Sequence, residues 1–215
     1  MQNENFQTEH GLSLYIEANN KKILFDMGQS DLFAKNARQL GINLADVDFA
    51  VLSHGHYDHG GGMETFLELN KKAPIYINRH AFEAHYNGTK KFIGLNKDIQ
   101  TNSRLIFTDD NFEIDSSFKL FSCNEKKRPY ETNPFGLTIF ENDTFTPEDF
   151  RHEQYFLVEE NGKKVLFSGC SHKGILNIMQ WFSPDVLVGG FHFKDLNPET
   201  DDKKQLTQAA EILKN

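Results

Sequence analysis

Nine histidines stand in this chain of 215 residues, and three of them share a stretch of six positions with a carboxylate. The segment reads Ser53-His54-Gly55-His56-Tyr57-Asp58-His59-Gly60-Gly61-Gly62. Imidazole and carboxylate are ligands suited to zinc, iron and similar divalent metals. In an extended loop, residues two apart point the same way, so His54 and His56 reach one ion. Asp58 and His59 then point elsewhere and serve a second ion nearby. The flanking glycines allow the tight turns such a loop requires. A lone histidine is ordinarily a core or surface residue, and what separates this group from that reading is its density and its place directly after an apolar run.

That run, Phe49-Ala-Val-Leu-Ser53, is of strand type and feeds the loop. Before it, Leu12–Glu17 and Lys22–Phe25 read as two strands around an Asn19-Asn20 turn, and Asp26-Met27-Gly28 breaks the pattern. Ser30 is placed to cap a helix through about Leu40, with Leu32, Phe33, Ala37 and Leu40 as its apolar face and Gly41 closing it. After Gly62 a helix is expected through Met63, Phe66, Leu67 and Leu69, then a strand at Pro74–Ile77 and a helix around Ala81–Tyr86. From Gly88 to Asp149 short β-like pieces (Arg104–Thr108, Lys119–Phe121, Leu137–Phe140) alternate with polar loops, and a segment covering the substrate is expected here. Tyr155–Glu160 and Lys163–Ser168 flank Asn161-Gly162, a pair suited to a type I′ hairpin turn. Gly174–Trp181 reads as helix, Asp185–Val188 as a buried strand and Asp201–Leu213 as a terminal helix. Strands near each end with helices between and after predict an α/β (α+β layered) domain, and no internal repeat or linker divides residues 1–215.

At these residues the sequence resembles the metallo-β-lactamase superfamily, whose signature is the same His-x-His-x-Asp-His loop. The resemblance implies an αββα sandwich with one or two metals at the edge of its sheets. Phe25-Asp26-Met27-Gly28 is similar to an early Asp-x-Gly element, in which Asp26 supports the metal ligands from behind. Val165-Leu-Phe-Ser-Gly-Cys170 is similar to the strand that ends in a metal-bridging residue, and Gly189-Gly-Phe-His192 to the element carrying the last histidine ligand. The chain further resembles the branch named 7,8-dihydropterin-6-methyl-4-(β-D-ribofuranosyl)aminobenzene-5′-phosphate synthases, through Glu9-His-Gly-Leu-Ser, Gly-Gln-Ser-Asp after Met27, and Gly169-Cys-Ser-His-Lys-Gly-Ile. Two departures stand out. The bridging position, commonly Asp, is Cys170, which reads either as a thiolate ligand or as a small buried residue. No Pro-Gly-His element supplies the middle histidine, and His152 is the nearby candidate. If Glu160 pairs with Lys163, the register puts Glu153 opposite Cys170 and His152 opposite Ser171, at the sheet end that also carries His172. His152 and His172 are thus each a ligand, a substrate contact or a plain surface histidine. His10, His80 and His85 read as structural or surface residues. Lys126-Lys127-Arg128 reads as a solvated face or, more sharply, as a loop that meets a substrate phosphate.

The expected cofactor is one or two divalent ions, zinc first, with iron and manganese also suited. Such an ion lowers the pKa of its water to about 7, which equips a hydrolase acting on a phosphorylated or ester substrate, with Asp58 as catalytic residue and ligand and His192 or His152 as proton donor. A dihydropterin-phosphate synthase-like reaction is the use of the site that the branch implies. The alternatives are another hydrolase of the superfamily, such as a phosphodiesterase or glyoxalase-II-like thioesterase, and a non-catalytic metal- or ligand-binding protein that keeps the fold. A redox role with iron, as in the flavodiiron relatives of this fold, is a further alternative, set lower because no flavin-binding domain is expected from the sequence.

Composition bounds these readings. The net charge of -8 argues against a general nucleic-acid or membrane-surface binder, while bound metal still permits a small anionic substrate. Two cysteines are too few to staple the domain. The first five residues lack signal-peptide character and no apolar run reaches membrane-spanning length, so a cytoplasmic location is the expectation.

Overall fold

In the computed structural model, residues 6–193, 196–197, 199–200 and 202–214 are described. The amino-terminal five residues and Asp201, with which the terminal helix was expected to begin, lie outside them.

Two five-stranded sheets face each other. The first runs β1 (Leu14–Ala18), β2 (Lys21–Phe25), β3 (Phe49–Val51), β4 (Ile75–Asn78), β7 (Leu105–Thr108) in spatial order. The second runs β14 (Val186–Gly189), β13 (Lys163–Ser168), β12 (Tyr155–Glu160), β9 (Phe118–Phe121), β8 (Asn111–Asp115). Period-2 alternation decides which side chains meet between them. Ile23 and Phe25 of β2 join Phe49 and Val51 of β3 against Phe118, Leu120, Phe156, Val158 and Phe167 of the other sheet. Leu24, Ala50 and Leu52 point the opposite way, into a core closed by α1 (Leu32–Gln39) and α3 (Met63–Leu69) through Phe33, Ala37, Met63 and Phe66. On the far side, Tyr155, Leu157 and Leu166 meet α4 (Ile175–Phe182) and α5 (Asp202–Lys214). The order is helices, sheet, sheet, helices, the αββα arrangement expected. No helix among the described residues is long and apolar enough to cross a membrane.

The turns follow their residues. Asn19 and Asn20 both take positive φ, as do Asn161 and Gly162, the geometry a type I′ hairpin needs. The β12–β13 register pairs Glu160 with Lys163 and Phe156 with Phe167, as read from the turn. The helix expected around Ala81–Tyr86 does not form. Its first residues make turns, Ala81 N donating to Asn78 O and Glu83 N to His80 O. His85–Asn87 instead becomes β5, paired with β10 (Leu137–Glu141). Six residues are too short to hold a helix alone, and strand pairing takes the last of them. β5 and β10 belong to a four-stranded sheet, β11 (Thr144–Pro147), β10, β5, β6 (Lys91–Phe92). Ile93, Leu137 and Phe150 pack there against Tyr57 of the histidine loop.

Candidate metal centre

Four strand ends deliver the chemistry. In the first sheet β2, β3, β4 and β7 run parallel, so the carboxyl ends of β2 and β3 bring Asp26 and the residues 53–59 to one edge. In the second, parallel β13 and β14 bring Cys170, His172 and His192 to theirs. Ligand sites favour the carboxyl ends of such strands. His152 enters from the segment before β12. α2 (Tyr57–Gly60), one turn long, carries Asp58 and His59, and the His59 ring packs on His54 at 4.1 Å between centroids.

Asp26 is the fixed point. It is fully buried at positive φ and its carboxylate accepts three bonds. Ser53 N donates to Oδ1 and Ser53 Oγ to Oδ2, each at 2.7 Å. His59 Nδ1 stands 2.7 Å from the same Oδ2. Asp26 offers only acceptors, so His59 keeps a proton on Nδ1 and directs Nε2 outward, to 3.1 Å from Cys170 Sγ. Ser53 Oγ, its own proton spent on Asp26, accepts from His54 Nδ1 at 2.8 Å. That leaves the His54 Nε2 lone pair free. Burial lowers the His59 pKa, but the charge of Asp26 and the bond to it outweigh that effect and hold His59 well above its ordinary value.

His172 is set by a different device. Its backbone N donates to Glu153 Oε1 at 2.7 Å, Lys173 N to Oε2 at 3.0 Å and Tyr155 OH to Oε2 at 2.7 Å. Lys173 is itself fully buried, its ammonium donating to Ser122 O at 2.6 Å and Glu153 O at 3.0 Å. Burial lowers its pKa from the ordinary 10.5 to about 8. Between those values the unfolded chain holds more protons than the folded one, so this group's contribution to stability rises as pH climbs from about 8 to about 10.5. Lys173→Met is expected to flatten that rise, read as the difference in urea midpoint between the two ends of the window. An unchanged pH slope in the variant would assign it to another group. Gln154 completes the brace: its N donates to Ser53 O and its Nε2 to Leu52 O, both at 2.8 Å.

The residues expected at the site all come together. Donor atoms of His54, His56 and His172 lie within 4.8 Å of one another, as do those of His54, His59 and Cys170 and those of His56, His85, Glu148 and His152. Asp58 Oδ2 stands 3.7 Å from His59 Nε2. His192 packs its ring on His172 at 4.4 Å between centroids. His152 and His172 are buried, so the surface reading fails for both. The Nε2 atoms of His54, His56 and His152 and both ring nitrogens of His172 are buried without a hydrogen-bond partner. Burial, reinforced by neighbouring imidazoles, lowers the pKa values of His54, His56 and His172 well below the ordinary range. Neutral imidazoles with unused lone pairs, beside a thiol and a carboxylate, fit zinc or iron.

Two histidines read as structural or surface residues also stand here. His10 has an exposed side chain with Nε2 3.3 Å from Asp58 Oδ2. Gly11 makes this approach possible: it sits at φ +125°, and a Cβ there would strike the Asp58 carbonyl. His85 is fully buried, its Nδ1 2.8 Å from Glu148 Oε2. His80 pairs with Glu83 away from the centre.

The centre opens into a cavity of about 470 Å³ lined by His10, His56, Asp58, Cys170, His172 and His192, with Tyr57, Asn87, Lys91, Ile93 and Leu137 opposite. Part of the segment expected to cover a substrate thus forms a wall. The cationic run at 126–128 does not line this cavity; Lys126 lies over the Phe182 ring and Lys127 O accepts from Trp181 Nε1. Lys91 is the wall's ammonium group, over the Tyr57 ring.

Residues 8–194 match the model of the metallo-beta-lactamase superfamily. The chain belongs to that superfamily. Among its superfamily relatives, an uncharacterized protein of Methanocaldococcus jannaschii is 30% identical, over 87% of this chain and 74% of that one. The 7,8-dihydropterin-6-methyl-4-(beta-D-ribofuranosyl)-aminobenzene-5'-phosphate synthase of the same organism is 28% identical, over 92% and 75%. The crystal structure of Tm1679, a metal-dependent hydrolase of the beta-lactamase superfamily, superposes with a TM-score of 0.76 at 30% identity, over 98% and 80%. For a metallo-β-lactamase superfamily member, the departures are now concrete. Cys170, at the position the sequence resemblance gives to the bridging residue, stands 3.1 Å from His59 Nε2, and His152 and His172 are both buried with their rings about 5 Å from His56.

Proposed function

We propose that this metallo-β-lactamase superfamily chain is a metal-dependent hydrolase acting on a small anionic substrate, phosphorylated or ester. The observation that carries it is the set of buried, unpartnered imidazole nitrogens facing an open cavity. A protein-filled, closed shell is the mark of a structural metal, whereas an open face suits catalysis. His54 and His56 would hold one ion and Asp58, His59 and Cys170 a second, with zinc the ion best matched to the donors. When bound, such a metal supplies activated water and polarises the scissile group. Asp58, within reach of both His59 and His10, orients the nucleophile and takes up its proton. His192, on the cavity wall, hands a proton to the leaving group. Lys91 meets the substrate's anionic end.

The test is elemental analysis of chelator-free protein, paired with assays of a phosphodiester and an uncharged ester. Two equivalents of metal and turnover that disappears on chelation are expected; no metal after reconstitution sinks the proposal. Lys91→Ala should raise KM for the anionic substrate by about tenfold and leave the uncharged ester unaffected. Equal effects on both would remove Lys91 from recognition.

The synthase relative favours a second use of the same centre, condensation at a pterin-like ring. A neighbouring cavity shares His172 and His192 and is lined by Phe135, Phe191 and Phe193, faces on which a planar ring would stack.

A further inference from the structure

The middle histidine position of this centre has two claimants, and their hydrogen bonds separate them. His152 Nδ1 accepts from Gly55 N at 2.8 Å. That nitrogen's lone pair is therefore spent, and a neutral ring keeps its one proton on Nε2. Nε2 faces Glu148 Oε1 at 3.7 Å. This is the reverse of His54, which is protonated on Nδ1 and aims a bare Nε2 at the centre, and of His59, whose Nδ1 proton is held by Asp26 so that Nε2 is the atom left to face it. A metal takes a lone pair, and His152 holds none in the direction its ring points. His152 Nε2 is likewise buried without a hydrogen-bond partner, and its ring lies 5.0 Å from His56 beside His85 and Glu148, but the bond from Gly55 N leaves a proton rather than a lone pair on that nitrogen. His172 has both ring nitrogens buried and unpartnered, so no bond fixes its tautomer, and its donor atom groups with those of His54 and His56, its ring centroid 4.9 Å and 5.1 Å from theirs.

What His152 grips is the peptide between the two ligands His54 and His56. Behind it the ring stacks on His85 at 3.9 Å, and Glu148 lies against both imidazoles, 2.8 Å from His85 Nδ1. The side chains of all three are wholly buried. Resting on the metal-dependent reading above, we infer that His172 is the third histidine ligand and that His152, backed by Glu148 and His85, is a positioning residue that fixes the His54-Gly55-His56 backbone.

The experiment compares metal uptake in three variants with long-range ¹⁵N–¹H spectra of the zinc-loaded parent protein. His172→Ala should lose an equivalent of metal or bind it more than about a hundredfold more weakly. His152→Ala should keep its stoichiometry and bind about ten- to a hundredfold more weakly, the usual effect of removing a ligand's support. His152→Asn, whose amide oxygen also accepts from Gly55 N, should recover most of that loss. In the zinc-loaded parent, His152 should remain protonated on Nε2 while His54, His59 and His172 show metal-bound nitrogens. A metal-bound His152 signal, or a full equivalent lost in folded His152→Asn, overturns the assignment, and so does undiminished binding in His172→Ala. Should a variant fail to fold, the spectrum of the parent decides alone. A parent chain that takes up no metal fails on the broader reading as well, which distinguishes the two failures.

Discussion

Replacing Asp58 and His59 together by alanine is expected to remove at least about one equivalent of metal and to lower kcat/KM by on the order of a thousandfold or more. Both side chains stand at the cavity wall or just behind it, and His59 is the one imidazole that links the centre to the buried Asp26. The pair cannot be replaced by neighbours. His10 approaches Asp58 from outside with an exposed ring, and Cys170 already faces His59 Nε2 at 3.1 Å. Metal analysis and a saturation curve on the same preparation check the expectation, with circular dichroism as the control for folding. Full activity in a folded double variant would place the chemistry elsewhere.

The second large effect is expected at Asp26, which is fully buried behind the histidine loop. Asp26→Ala leaves Ser53 N, Ser53 Oγ and His59 Nδ1 buried without their acceptor. Breaking a buried, fully used charged acceptor costs about 3–5 kcal/mol, and the melting temperature should fall by roughly 10 °C. Asp26→Asn sharpens the point. One oxygen survives for Ser53 N, but an amide NH₂ facing His59 drives that ring's proton to Nε2 and removes its lone pair from the centre. The asparagine variant should therefore lose metal affinity by about ten- to a hundredfold while recovering part of the stability lost by alanine. Calorimetry and metal titration on both variants separate the two effects. Equal metal affinity in parent and asparagine variant would show that Asp26 holds only the fold.

The parts of this site that are contiguous in sequence could be read from it. The run from His54 to His59 announces its chemistry through density alone, and Asn161-Gly162 fixes the β12–β13 register as far as Phe156 and Phe167; the pairing expected beyond it is not made, since Gln154 N turns to Ser53 O and His152 lies before the strand. What stayed hidden depends on partners far along the chain. Glu153 and Gln154 look like ordinary polar residues before a strand, and only the fold shows Glu153 holding the His172 loop and Gln154 the strand before His54. His10 acquires its meaning because Gly11 lets the chain pass against Asp58. His85 and Tyr86 continue a short helix-like run until β10 pairs with them. The Lys126–Arg128 cluster offers charge without place, while Lys91, one lysine among many, stands on the cavity wall.

His59 and Cys170 are separated by 111 positions, and each sheet contributes its own share of the donors. During synthesis the histidine loop leaves the ribosome long before its thiol and third imidazole exist, so the chain first passes through a stage with half a chelate and no cage. If the metal-dependent reading holds, ion capture would belong to the last act of folding, after the two sheets close on Phe25, Phe49 and Phe156. Interactions made only after the rate-limiting barrier slow escape from the native state without hastening arrival. The metal would thus behave as a clasp: loading should lengthen the time to unfold and leave the refolding rate as it is in the bare chain.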